Sequence, residues 1–578
     1  MAAALARLAA AAEDAGAELT VLRERPLPPE ALAAAGGGGG GAPAASGAAA
    51  APAGPEGGTG YVTADVLVRQ RAKTRPALEV RVAVVGNVDS GKSTLVGVLT
   101  RGTLDDGRGL ARSKVFKHHH EEATGRTSSI GQHNLCLDAR GAILNDALFR
   151  NSSCSDYVSR SAKVVTLVDL AGHEKYFRTT AFGLTGHLPD YACMMLGANM
   201  GVVGMAKEHL GVALALKVPV FFVVTKTDIC PEHVLRATVA SLASILRKPG
   251  VRRRPFLVRS PDDALLAARS MGSEALAPIF LTSAVTGAGL DLVRLFYGLL
   301  PQRQRWSEVR CEPPQFIIDE VFGVPGVGTV VAGTVKRGVL TPGSALVIGP
   351  DIADGSFKPV AIKSIHYKRL GVAQVVAGQT AALALKKVKR SQVRKGMVLL
   401  ASSTGGAGGP RASFEFDADI AILTHSTTIA PRYQAVIHCE IIRQAARVVA
   451  MDREHLRSGD RARIRWRFIQ HPEWLTPGTR FVFREGRTKG IGVVVAVQGD
   501  APDTWDAGLA AAPQPAAGAH PAAAANGGAG GGAAEQCAPA PAAGAGAAPA
   551  PAGCGAAVAA AGAGPAAAAQ AGRRVGVP

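Results

Sequence analysis

The segment Gly86-Asn87-Val88-Asp89-Ser90-Gly91-Lys92-Ser93-Thr94 joins glycines, a lysine and hydroxyls at a spacing that suits phosphate chemistry. Its two glycines let the backbone curl until several N–H groups point inward at phosphate oxygens. Lys92 adds a positive charge beside β and γ phosphates, and the Ser93 hydroxyl supplies an oxygen to Mg²⁺. Asp89, Ser90, Gly91 and Thr94 complete the cradle. A helix that begins at such a loop aims its positive end at the same anion. The spacing predicts a nucleotide site.

A second segment, Val223-Val224-Thr225-Lys226-Thr227-Asp228, selects the base. A carboxylate at Asp228 accepts from both N1–H and the exocyclic amine of guanine. Adenine offers no such donor pair, so the expected ligands are GTP and GDP. The stem of Lys226 covers the base face, and the backbone amides of Ser283 and Ala284 meet guanine O6. Asp169, closing the apolar run Lys163–Val168, is suited to hold Mg²⁺ through water. Gly172 follows, with an amide that reaches the γ-phosphate and shifts when that phosphate leaves. His173 is placed to orient the attacking water or stabilise charge. In Gly125-Arg126-Thr127-Ser128-Ser129, Thr127 offers a hydroxyl to Mg²⁺ and an amide to the γ-phosphate. His173, Thr127 and Lys92 are thus the catalytic candidates, and Ser93 and Thr127 the metal ligands. His118-His119-His120 reads as a solvated helical face rather than a metal site.

These residues need a scaffold. Apolar runs at Val82–Val85, Lys163–Val168, Tyr191–Leu196, Val218–Val224 and Pro278–Leu281 read as buried strands. Helical stretches such as Ala206–Leu216 and Glu232–Leu246 separate them. Alternating strands and helices predict an α/β domain with a mostly parallel sheet and helices on both faces. After Pro301 the pattern becomes short alternating runs broken by Gly and Pro, over 314–400 and 413–499. Two all-β barrels or sandwiches follow from it, with 403–410 as a linker.

Of 578 residues, those at 1–60 and 500–578 are mostly Ala, Gly and Pro, and read as disordered tails. The middle suits roughly three domains of ordinary size. No run of about 18 strongly apolar residues exists, which excludes a helical membrane span. The N-terminus lacks a Leu-rich core and an Arg/Ser-rich pattern, so a short helix or disorder is expected rather than a targeting segment. The 8 cysteines form no CxxC pair and read as reduced thiols. A net charge of +19 points to an anionic partner, above all nucleic acid. Two basic clusters suggest where: Lys386, Lys387, Lys389, Arg390, Arg394 and Lys395; and Arg457, Arg461, Arg463, Arg465 and Arg467, whose alternation with apolar residues puts arginines on one face of a strand.

GNVDSGKST, GRTSS, DLAGHEKY and TKTD, followed by two β domains, resemble the translational GTPases of the elongation factor Tu/1-alpha superfamily. DLAGHEKYFRTTAFGLTGHLPDY, PGVGTVVAGTV, ALKKVKRSQVRKGMV and FREGRTKGIG look like its GTP-binding protein 1/GTP-binding protein 2 branch. The resemblance covers about residues 61–499. After a lead-in segment at 61–80 it implies a GTP-binding domain at 81–300 and β-barrels at 311–402 and 411–499; the tails at 1–60 and 500–578 are not part of it. It further implies GTP hydrolysis by a monomeric cytoplasmic factor that handles aminoacyl-tRNA on ribosomes. The alternatives are a GTP-gated adaptor to the mRNA decay machinery and a GTPase subunit that activates another enzyme. By position, His173 matches the catalytic His and Thr127 the switch Thr. Two residues depart from the pattern. Arg126 stands where elongation factors carry an apolar residue that fences the catalytic His with Val88. Thr225 replaces an Asn and brings fewer hydrogen-bond donors.

Overall fold

The computed structural model describes residues 2–15, 17–26, 62–70, 77–145, 154–404, 409–425, 427–486 and 488–497. The site rests on a seven-stranded sheet. Its strands run in the order Gly131–Leu137, Lys163–Asp169, Leu78–Gly86, Tyr191–Gly197, Val220–Thr225, Leu276–Leu281 and Arg254–Leu257. All pairs are parallel except that of Gly131–Leu137 with Lys163–Asp169, which is antiparallel at one edge. Alternation along a strand sends successive side chains to opposite faces. Thus Val80, Val82 and Val84 enter one core with helices Lys92–Arg101, Pro261–Ser270 and Leu290–Leu299. Ala83 and Val85 enter the other, with helices Phe177–Gly186, Gly204–Ala215 and Glu232–Arg247. Every expected strand is present. The edge strands Gly131–Leu137 and Arg254–Leu257 were not foreseen, because neither carries a long apolar run.

Two β domains follow. The first is a sheet in the order Ala345–Gly349, Val398–Ala401, Gln315–Val324, Gly328–Arg337, Thr380–Lys386, Lys358–Tyr367, Leu370–Gly371. Pairing of Ala345–Gly349 with Lys358–Tyr367 closes it. The second is a closed barrel of Glu415–Thr424, Arg461–Phe468, Ile442–Met451, Gln434–Cys439, Arg480–Glu485 and Thr488–Val497. Its core holds Trp466, Phe416, Phe468, Phe481 and Phe483. Gly490 and Gly492 lie directly beneath the rings of Phe483 and Phe481, where any Cβ would collide.

The N-terminal segment carries a short helix, one of the two outcomes expected there, and departs from a disordered tail in its strand pairing. Ala2–Asp14 is a helix, and Ala17–Pro26 pairs antiparallel with Val62–Gln70 of the lead-in segment. The alternating Leu19, Val21 and Val66, Val68 supply the apolar face that such a pairing needs. The 500–578 tail and residues 405–408 of the 403–410 linker lie outside the described residues. Among the described residues, no helix is long and apolar enough to cross a membrane.

A buried ion network fastens the first strand of the α/β domain to the first barrel. The side chains of Glu79, Arg81 and Lys368 are each 8% exposed or less. Glu79 Oε1 receives Lys368 Nζ at 3.3 Å, Arg81 Nε at 3.4 Å and Thr380 Oγ1 at 3.1 Å. Arg81 also donates to the Gly378 carbonyl. Burial pushes the Glu79 carboxyl up, but Lys368, Arg81 and the Thr380 hydrogen bond outweigh it and hold it below its ordinary value. Removing one partner of a buried pair leaves an uncompensated charge. Glu79→Ala is expected to lower stability by about 3–5 kcal/mol in thermal or urea melts near neutral pH. Adding Lys368→Met should recover part of that loss. Because the folded pKa is depressed, the gap between wild type and Glu79→Ala should narrow as pH falls below the ordinary value of 4.5.

Candidate functional site

The phosphate cradle forms where the strand Leu78–Gly86 meets the helix Lys92–Arg101. Asp89 and Gly91 take positive φ, 57° and 80°, which turns the loop back on itself. Thr225, from the strand Val220–Thr225, is buried and donates its hydroxyl to the Ser90 carbonyl at 2.9 Å. The base segment is thereby tied to the cradle.

Val88, Asp89, Gly91, Lys92, Ser93, Thr94, Arg112, Gly125, Arg126, Thr127, Gly172 and His173 line one cleft. Lys92 is buried and its Nζ donates to the Asn87 carbonyl at 2.6 Å. Burial pulls its pKa down to about 8, against the pull of Asp169 and Asp89. A buried ammonium that donates to a neutral carbonyl can turn its N–H groups to an entering phosphate, a charged acceptor. Gly172 packs so close that a Cβ there would run into the Lys92 ammonium and lie 2.7 Å from the Asn87 carbonyl.

Ser93 Oγ lies 2.7 Å from Thr127 Oγ1 and donates to Asp169 Oδ2 at 2.6 Å. Asp169 is fully buried, and burial raises its pKa to about 6 despite Ser93 and Lys92. Its Oδ1 has no hydrogen-bond partner among the described residues. Two hydroxyls beside a carboxylate with a spare oxygen form a hard-oxygen set that suits Mg²⁺. Among the described residues, no group of three His, Cys, Asp or Glu forms a metal cluster. His118, His119 and His120 are exposed, as expected of a solvated face.

Sequence reasoning missed what holds Thr127. Glu121 is 1% exposed, and its Oε1 accepts from Ser128 N, Ser128 Oγ, Ser129 N and Ser129 Oγ at 2.8–3.0 Å. Burial pushes this carboxyl up, and the four bonds more than offset it, down to about 2. The only sequence signal is an acid seven residues before a Ser-Ser pair.

His173 caps the turn Glu174–Tyr176, accepting from Lys175 N at Nδ1 over 3.1 Å. That bond assigns the proton of the neutral ring to Nε2. At the base end, Lys226 takes a left-handed φ of 61°, and Asp228 is exposed with no partner among the described residues. Of the two amides expected at guanine O6, that of Ser283 already donates to the Ala288 carbonyl at 3.0 Å. That of Ala284 has no such partner among the described residues.

The two basic clusters differ. Arg463, Arg465 and Arg467 do share one strand face, but they pair with Asp419, Asp417 and Glu415 of the neighbouring strand at 2.7–2.9 Å. Those three are charge-matched, which weakens the reading of this cluster as an anion-binding surface, whereas Arg457 and Arg461 are exposed without acidic partners among the described residues. Lys386, Lys387 and Lys389 are exposed without acidic partners among the described residues, whereas Arg394 pairs with Glu473 at 3.0 Å.

Residues 79–302 match the model of the elongation factor Tu GTP binding domain, and residues 328–400 that of elongation factor Tu domain 2. GTP-binding protein 1 of Xenopus laevis is 51% identical over 437 residues, 75% of this chain and 66% of that protein. GTP-binding protein 2 of Mus musculus is 43% identical over 439 residues, 75% of this chain and 72% of that protein. The chain spans about two thirds of the length of these curated relatives. Translation elongation factor SelB from Methanococcus maripaludis, solved with the GTP analogue GppNHp, aligns with a TM-score of 0.52. The identity is 18% and the alignment covers 73% of this chain and 80% of that chain, a likeness of fold.

Glu121→Ala strips the charged acceptor from two amides and two hydroxyls. Hydrogen bonds to a charged group contribute about 1.5–3 kcal/mol, so opening of the loop should rise roughly 10- to 150-fold. Tryptic cleavage after Arg126, followed by mass spectrometry under native conditions, should accelerate to match.

Proposed function

The chain belongs to the GTP-binding protein 1/GTP-binding protein 2 family of elongation factor Tu-type GTP-binding proteins, and from that membership we propose that it hydrolyses GTP as a translation-factor-like protein acting with tRNA on ribosomes in the cytoplasm. The observation that carries this reading is the convergence of Lys92, Ser93, Thr127, Gly172 and His173 on one cleft. Ser93 and Thr127 would hold Mg²⁺, with Asp169 behind them; the ion neutralises charge between the β and γ phosphates when bound.

The chain's own residues divide the remaining work. The loop amides and Lys92 grip the phosphates and offset their charge. Thr127 and Gly172 stand on opposite switch segments, so both can sense the γ-phosphate. His173, with its proton on Nε2, is suited to donate to the attacking water or to developing charge rather than to abstract a proton. The ring is partly exposed and is met by the Lys175 amide at Nδ1 and by the edge of Tyr176, so a partner that presses on its open side would complete the alignment. Asp228, Lys226 and the Ala284 amide recognise guanine. The exposed lysines at 386, 387 and 389 offer a face to RNA phosphates.

Two outcomes test the reading. Asp228→Asn should weaken GDP and GTP binding and admit xanthosine nucleotides, whose C2 oxygen suits an amide donor; competition against a fluorescent GDP checks this. Hydrolysis by the wild type should be slow alone and rise with ribosomes by about 10³-fold or more, the range of partner-driven gains. His173→Ala should keep GTP binding and lose that gain in single-turnover assays. A wild type that ribosomes do not accelerate would favour a GTP-gated adaptor linking mRNA or ribosomes to decay machinery.

A further inference from the structure

Arg112 lines the phosphate cleft, although no motif pointed to it. Its helix, Leu110–Ser113, is anchored against the helix that starts at the cradle. Gly97 of that helix lets the Ala111 carbonyl approach so closely that a Cβ would collide with it. The preceding turn is pinned by two acids: Asp105 accepts from the Ala111 amide at 2.8 Å, and Asp106 from the amides of Arg108, Gly109 and Leu110 at 2.8–3.1 Å.

The guanidinium lies in a slot between two left-handed glycines. A Cβ on Gly109 (φ 104°) would collide with it, and one on Gly125 (φ 65°) would stand 3.4 Å from its terminal nitrogen. Gly125 is two residues before Thr127 and lines the same cleft. The Arg112 side chain has no carboxylate partner and no hydrogen-bond acceptor among the described residues. A half-buried arginine without an anion, held between glycines at a phosphate cleft, is a preformed fork for phosphate oxygens. Arg126 lines the cleft too, but it is exposed on the loop.

We propose that Arg112 is an internal arginine finger that binds the γ-phosphoryl oxygens and stabilises their charge during hydrolysis. This rests on the GTP reading above. In the step, the water oxygen bonds to the γ-phosphorus while the bond to the β–γ bridging oxygen breaks. The bonding pair stays on GDP, and both of the water's protons leave with inorganic phosphate, one still on the attacking oxygen and one passed to a γ-phosphoryl oxygen. Arg112 takes no proton; its N–H groups meet the charge that moves outward.

The test uses the full chain with Arg112→Gln and Arg112→Lys. Affinity is measured for fluescent GDP alone, for fluorescent GppNHp, and for fluorescent GDP with aluminium fluoride, which mimics the transferring phosphoryl group. Arg112→Gln should bind GDP within about threefold of wild type, yet lose about 10-fold or more in affinity for the aluminium fluoride complex and about 10³-fold or more in single-turnover rate. Arg112→Lys should recover only part, since an ammonium lacks the planar fork. Equal affinity of wild type and Arg112→Gln for the aluminium fluoride complex would overturn the proposal. So would an equal loss for GDP and the complex, which would make Arg112 a general phosphate ligand. If the wild type binds no guanine nucleotide, the GTP reading fails first.

Discussion

The Glu79 carboxylate sits at the start of the strand whose far end opens into the phosphate cradle, so the ion network around it sets where that cradle lies against the first barrel. Lys368, Thr380 and Gly378, all of the barrel, meet Glu79 and Arg81 at one point. Such a network gives little net stability, since desolvation opposes the Coulombic gain, but it tolerates few alternative geometries. Specificity of docking is the better account of why charges are buried here. The same strand carries Val80, Val82 and Val84 into one core and Ala83 and Val85 into the other. A rotation of the strand would therefore disturb both cores and the network together.

Local chemistry was legible wherever function compresses it into a few consecutive residues. The cradle, the base segment, the acid-glycine-histidine turn and the buried strands all announce themselves by spacing, and their order identifies the fold. Long-range partners were not legible. Glu121 holds the Thr127 loop, and Arg112 reaches the cleft between two glycines, but neither sits in a pattern that distinguishes it from a surface charge. The arginines of Arg461–Phe468 show the converse. Alternation correctly gave their common face, yet the acids of Glu415–Thr424 that neutralise it come from a strand some 45 residues earlier. The pairing of Ala17–Pro26 with Val62–Gln70 was hidden by the Ala/Gly/Pro-rich sequence between them.

The two departures from the elongation-factor pattern have different physical weights. Thr225 retains a donor, and its hydroxyl reaches the Ser90 carbonyl, so the tie between base segment and cradle survives with one hydrogen bond in place of an amide's several. Arg126 changes the chemistry of its position outright. A charged side chain cannot form an apolar fence with Val88, and both line the same cleft as His173. Among the described residues, His173 is met instead by its own turn, through the Lys175 amide and the edge of the Tyr176 ring.

The turn is held from behind. The helix Phe177–Gly186 continues directly from it and is bound to the second barrel at both ends. Near its start, the Arg484 guanidinium lies 4.2 Å from the centre of the Phe177 ring, which also stacks on the buried His209. Near its end, Thr185 donates to the Glu440 carbonyl at 2.7 Å, and the Glu440 carboxylate pairs with Lys336 of the first barrel. His173 itself borders both the phosphate cleft and a second cavity shared with Arg178, His438 and Arg484. A displacement of the His173 turn would therefore either strain these contacts or carry them along. A rigid helix with barrel contacts at both ends favours the second course, because packed interfaces shift between discrete arrangements rather than stretch. The contacts thus run from the phosphate cleft through the His173 turn and Phe177 to the second barrel, and through Glu440 to Lys336 of the first.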